Sequence, residues 1–155
     1  MNNRIAAALA VVLATPFALS GCVAAPDFHT VVPAAVVASN PVIEDAFTAT
    51  STGIAGVGVW VRVYVTSTEH DDLVRVIDSA LEATLAASPV RPVSVRLDVA
   101  ASPMPGEPNM SQPNISIEDA ARELDLYDGH LSDDTISGTI DFFEERYGTW
   151  EELRQ

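Results

Sequence analysis

Five valines at every second position constrain this chain more than any other feature. Val57, Val59, Val61, Val63 and Val65 fall on one face of an extended strand, because side chains along a strand alternate with a period of two. A helix would scatter them around its circumference. The run predicts a strand with one apolar face and puts Gly56, Gly58, Trp60, Arg62, Tyr64 and Thr66 on the other. An apolar sheet face needs a second layer to bury it.

The flanking segments supply that layer. Val42 to Thr50 carries a weaker strand pattern, with Ile43, Phe47 and Ala49 expected on one face and Ser51-Thr52-Gly53 as the turn into the valine strand. After it, Thr68 and Asp71 have the spacing of a capping box variant, and Glu69, Asp71 and Asp72 suit the positive end of a helix dipole. Leu73, Ile77, Ala80, Leu81, Thr84 and Leu85 then form a stripe at helical spacing that Ser88-Pro89 stops. A third strand follows, with Val93, Val95, Leu97 and Val99 inward and Ser94, Arg96 and Asp98 outward. Strand, helix, strand in this order predicts a crossover and a parallel pair.

Pro103, Pro105, Gly106, Pro108 and Pro113 mark a loop over 101–114. A short helix is expected next, capped by Ser116 and buried through Ile117, Ala120, Ala121 and Leu124, with Asp128-Gly129 ending it. Ser132 opens a further predicted helix through Ile136, Ile140, Phe143 and Tyr147, stopped at Gly148, although Ser137-Gly138 could break it. Thr149 and Glu152 pattern a last cap before Trp150 and Leu153. The expected order is β-β-α-β-α-α: an α+β domain over 42–155, with a small mixed sheet and helices packed on one face in two layers.

The N-terminal segment has a different character. Met1 to Arg4 is short and positively charged, and Ile5 to Leu19 is an apolar run broken only by Thr15 and Pro16. That run is too short for an ordinary membrane-spanning helix and suits an export signal. Leu19-Ser20-Gly21-Cys22 follows it directly and resembles the lipobox of bacterial lipoproteins, a Leu and two small residues before a Cys. The resemblance implies removal of residues 1–21, a thioether-linked diacylglycerol on Cys22 and residence at the cell membrane on its extracytoplasmic side. Two acyl chains anchor stably where one is marginal. The lipid bilayer is then the first expected partner. From Cys22 to Pro41, the prolines at 26, 33 and 41 among Ala and Val suggest a flexible tether between anchor and domain. The rest of the chain is similar in pattern to small lipoproteins of actinobacteria, a likeness that carries no functional motif.

Composition narrows the partners. The formal net charge is −14, with arginine as the sole basic residue type, and loss of Arg4 would take the mature chain one unit further negative. Nucleic-acid binding and adhesion to an anionic lipid surface both need clustered cations, so neither is expected. The single cysteine leaves no internal disulfide.

Few chemistries fit the remaining residues. There is no G-x-S-x-G nucleophile elbow, and Gly53, Gly56 and Gly58 are in the wrong order and the wrong element for a dinucleotide loop. His29, His70 and His130 form no zinc-binding spacing. Asp125, Asp128, Asp133 and Asp134 crowd around Gly129, but Leu124 and Leu126 stand where a calcium loop needs oxygens. No cofactor, metal or catalytic residue is expected.

The outward sheet face is the candidate interaction surface: Trp60, Arg62, Tyr64, Arg96 and Asp98 cluster if their strands are neighbours. Trp, Tyr and Arg are enriched at binding hot spots. The competing expectation is that Phe142, Trp150 and Leu153 fold over this face and bury it. The leading functional expectation is a membrane-anchored, non-enzymatic binding or accessory domain of the cell envelope, with an envelope protein or ligand as partner. The alternatives are an envelope enzyme with a carboxylate-based site, or a structural subunit beside a transporter or sensor.

Overall fold

A computed structural model describes residues 27–106, 108, 112–126, 131, 132 and 134–155. The expected signal segment, Cys22, Asp128, His130 and Asp133 lie outside the described residues. The elements in chain order are α1 (Phe28–Ser39), β1 (Ile43–Gly53), β2 (Gly56–Val65), α2 (His70–Ala87), β3 (Ser94–Ala101), α3 (Glu118–Glu123), β4 (Leu131–Ser132), β5 (Thr135–Thr139), α4 (Ile140–Tyr147) and α5 (Trp150–Leu153). The strands form one mixed sheet in the order β1-β2-β3-β5-β4. This is the expected α+β class, with helices laid over the valine face.

Val59, Val61, Val63 and Val65 of β2 and Val95, Leu97 and Val99 of β3 are all buried, as the alternation requires. β2 and β3 pair in parallel, and α2, the connection between them, buries the whole expected stripe from Leu73 to Leu85. Ser88 closes that helix as predicted, its N–H donating to the carbonyls of Thr84 and Leu85. The helix starts later than the Thr68 cap implied. Ser67 instead donates to Asp72 at 2.5 Å.

Three expectations are corrected. The supposed tether contains α1, so the folded unit starts before residue 42. Phe28, Val32 and Val36 recur every four residues, bury against the core, and outweigh the hydrogen bond that Pro33 cannot make within the helix. Asp27 caps it by accepting from Thr30 N–H at 3.2 Å. Second, Phe47 and Ala49 do not share a face with Ile43. An irregularity between Ile43 and Asp45 shifts the register, and an extra residue in one strand reverses the side-chain alternation beyond it. The turn is also two residues further on, at Ile54-Ala55. Third, the helix expected from Ser132 starts only at Ile140. Thr135 to Thr139 is instead β5, antiparallel to β3, consistent with its β-branched Thr and Ile residues. A Cβ on Gly138 would lie 3.0 to 3.3 Å from the rings of Phe142 and Phe143, so glycine lets α4 fold back close to the strand it leaves.

The C-terminal turn follows its sequence signals. Gly148 has φ of +93°, and Thr149 with Glu152 makes a reciprocal capping box. No helix among the described residues is long and apolar enough to cross a membrane.

Candidate functional site

Strand pairing sets the candidate residues in rows across the face opposite the valines. One row runs Asp45, Tyr64, Ala100; the next Phe47, Arg62, Asp98, Thr135; then Ala49, Trp60, Arg96, Ser137; and last Ser51, Gly58, Ser94, Thr139. All five residues expected on this surface are therefore brought together. They are not equally open. Arg62, Tyr64 and Asp98 are buried, at 2%, 0% and 0% exposure, whereas Trp60 is half-buried and the Arg96 side chain is 41% exposed.

The expected cover is not the one found. Phe142 and Leu153 pack against the main core, and the Trp150 indole N–H donates to the Ser88 carbonyl at the end of α2. The buried end of the face is covered instead by the segment around Gln112 and Asn114. Arg62 donates to the Gln112 carbonyl at 3.3 Å and to the Asn114 side-chain oxygen. Asn114 in turn donates to the Asp134 carbonyl.

Asp98 organises the centre. Its carboxylate accepts from Trp60 Nε1 at 2.8 Å, Thr135 Oγ1 at 3.0 Å and Arg96 Nε at 3.1 Å, with Arg62 Nη2 at 3.7 Å. A buried carboxylate is tolerated only with such partners, because desolvation otherwise costs several kcal/mol. Both oxygens are engaged, which suits an anchor for the two guanidiniums better than a proton acceptor. The Trp60 indole has Arg62 and Arg96 over its ring at 5.7 and 5.8 Å from the centroid and meets Phe47 edge-on at 5.7 Å. These cation–π and aromatic contacts hold the ring in place. Burial pushes the Tyr64 hydroxyl above its ordinary pKa, against the lowering effect of the nearby Arg62 guanidinium.

Beside this network the face opens into a groove of about 330 Å³ whose lining includes Ser51, Gly58, Trp60, Ser94 and Arg96. A second depression of about 260 Å³ lies across β3 and β5, lined by Arg96, Ser137 and Thr139 among others. Among the described residues, Arg96 is the only charged side chain lining either. Sequence reasoning missed Asn114, Thr135, Ser51 and Thr139, and placed Gly58 and Ser94 on this face without singling them out. Gly58 carried the available signal, as a residue with no side chain on the aromatic face of a strand.

Elsewhere, His29 bonds the Thr48 carbonyl at 2.7 Å, and His70 pairs with Glu123. No group of three or more His, Cys, Asp or Glu among the described residues could hold a metal ion. No family model, curated protein or solved structure matches the chain.

Proposed function

We propose that this chain is a lipid-anchored binding domain of the bacterial cell envelope, held to the membrane through Cys22, which takes its ligand on the open end of the sheet face. The anchor rests on the lipobox-like Leu19-Ser20-Gly21-Cys22 behind its apolar run. The binding role rests on one observation: Trp60 and Arg96 remain part-exposed beside a groove while the groups that orient them are buried. A face needed only as a second core would close over an apolar layer. Here buried partners hold an accessible edge that carries a cation and hydroxyls, the arrangement that lowers the ordering cost of binding.

A non-enzymatic role is favoured because no carboxylate among the described residues lines the groove, and Asp98 behind it has its oxygens occupied. Native mass spectrometry of the protein extracted from membranes tests both parts. The polypeptide should begin at a diacylglycerol-modified Cys22, and a noncovalent adduct should be retained by the wild type and lost from Arg96→Gln. An intact signal segment would contradict the anchor. An adduct unchanged in Arg96→Gln, or none on either protein, would contradict the binding face.

A further inference from the structure

We infer that the groove binds the oxyanion of its ligand, a phosphate, sulfate or carboxylate group, between the Arg96 guanidinium and the hydroxyls of Ser51 and Ser94. This inference rests on the binding-face reading and specifies the ligand's chemistry. The floor of the groove is Gly58. A Cβ built there would lie 2.8 Å from Ser51 Oγ and 2.9 Å from Ser94 Oγ, so the missing side chain is what lets the two hydroxyls come together over the strand. Neither hydroxyl has a hydrogen-bond partner among the described residues, and each has a donor to offer.

Arg96 supplies the charge. Its Nε and Nη2 face Asp98 and Thr135, while Nη1 makes no hydrogen bond to a described residue. The buried Asp98, behind the groove, fixes the guanidinium and is itself shared with Arg62. Charge-assisted hydrogen bonds to an oxyanion are roughly twice as strong as neutral ones. The chain's net charge of −14 opposes an anionic membrane surface as the source and slows the approach of any anion. A small anionic ligand that enters the groove itself is the fitting source.

Titration of the ¹⁵N-labelled full chain at constant ionic strength tests this, with inorganic phosphate, acetate and a neutral methyl glycoside as separate probes. Phosphate or acetate should shift the Gly58, Ser94 and Arg96 amides saturably, and the glycoside should not. Arg96→Gln should weaken binding about tenfold or more, and Ser51→Ala with Ser94→Ala about a hundredfold, since each hydrogen bond to a charged group contributes about 1.5–3 kcal/mol. Saturable shifts with the glycoside alone would overturn the oxyanion and leave the binding face standing. Equal binding by Arg96→Gln would overturn the site. No saturable shift with any probe would count against both. Cosedimentation with vesicles containing an anionic phospholipid separates the sources: failure to bind fits a free ligand, whereas Arg96-dependent binding would overturn that assignment in favour of a lipid headgroup.

Discussion

Asp98 makes Arg62 and Arg96 unequal partners although both point at the same carboxylate. Arg62 is buried and tied to Asn114; Arg96 keeps 41% of its side chain exposed. Removing one member of a buried pair leaves a charge without compensation and costs about 3–5 kcal/mol, whereas a solvent-screened partner is worth about 1 kcal/mol or less. Urea unfolding should therefore show a large loss for Arg62→Gln and a small one for Arg96→Gln. Equal losses would mean that the two arginines share one structural role. The five residues of this face were legible in the sequence because strand alternation is a local rule. Their unequal burial was not, because it depends on Gln112 and Asn114, which lie some 50 positions away in a proline-rich segment without periodicity.

At the scale of elements, the strongest sequence patterns gave β2, α2 and β3, and competing signals hid α1 and β5. Pro33 disguised α1, whose stripe of Phe28, Val32 and Val36 appears only when the proline is overlooked. In β5, Ile136 fitted a helical stripe with Ile140 and Phe143 as well as it fitted a strand, and the neighbouring strand β3 decided between them. The start of α2 is joined to α3 by His70 and Glu123, 2.8 Å apart. The hydrogen bond to Glu123 raises the His70 pKa above its ordinary value, with Asp71 and Asp119 adding to it. A histidine whose pKa is higher folded than unfolded stabilises the fold fully below the unfolded value, near pH 6.5, and that gain disappears as pH rises through the folded value. Thermal midpoints should place wild type above His70→Gln at about pH 5 and bring the two together at alkaline pH. A difference that persists or grows with pH would contradict the pairing.

Across the whole molecule, one sheet has two faces with different purposes. Valine and helix stripes bury one of them, and that layer follows from periodicity alone. The other combines a buried ionic network with an open groove beside it, a division that required the register of four strands and the covering segment. Phosphate stabilises many folded proteins simply by exclusion from their surfaces, so the informative quantity is the difference between wild type and a variant that has lost only the site. The most direct measurement is the thermal midpoint of wild type and Arg96→Gln, each with and without phosphate at about ten times its dissociation constant. Specific binding at that concentration contributes about 1.4 kcal/mol, a rise of a few degrees for a domain of this size. Without phosphate Arg96→Gln should melt at most a few degrees below wild type, and phosphate should widen that gap by those additional degrees. An Arg96→Gln midpoint that falls as a core variant's would, or that rises with phosphate as far as wild type's, would contradict a ligand site on this face.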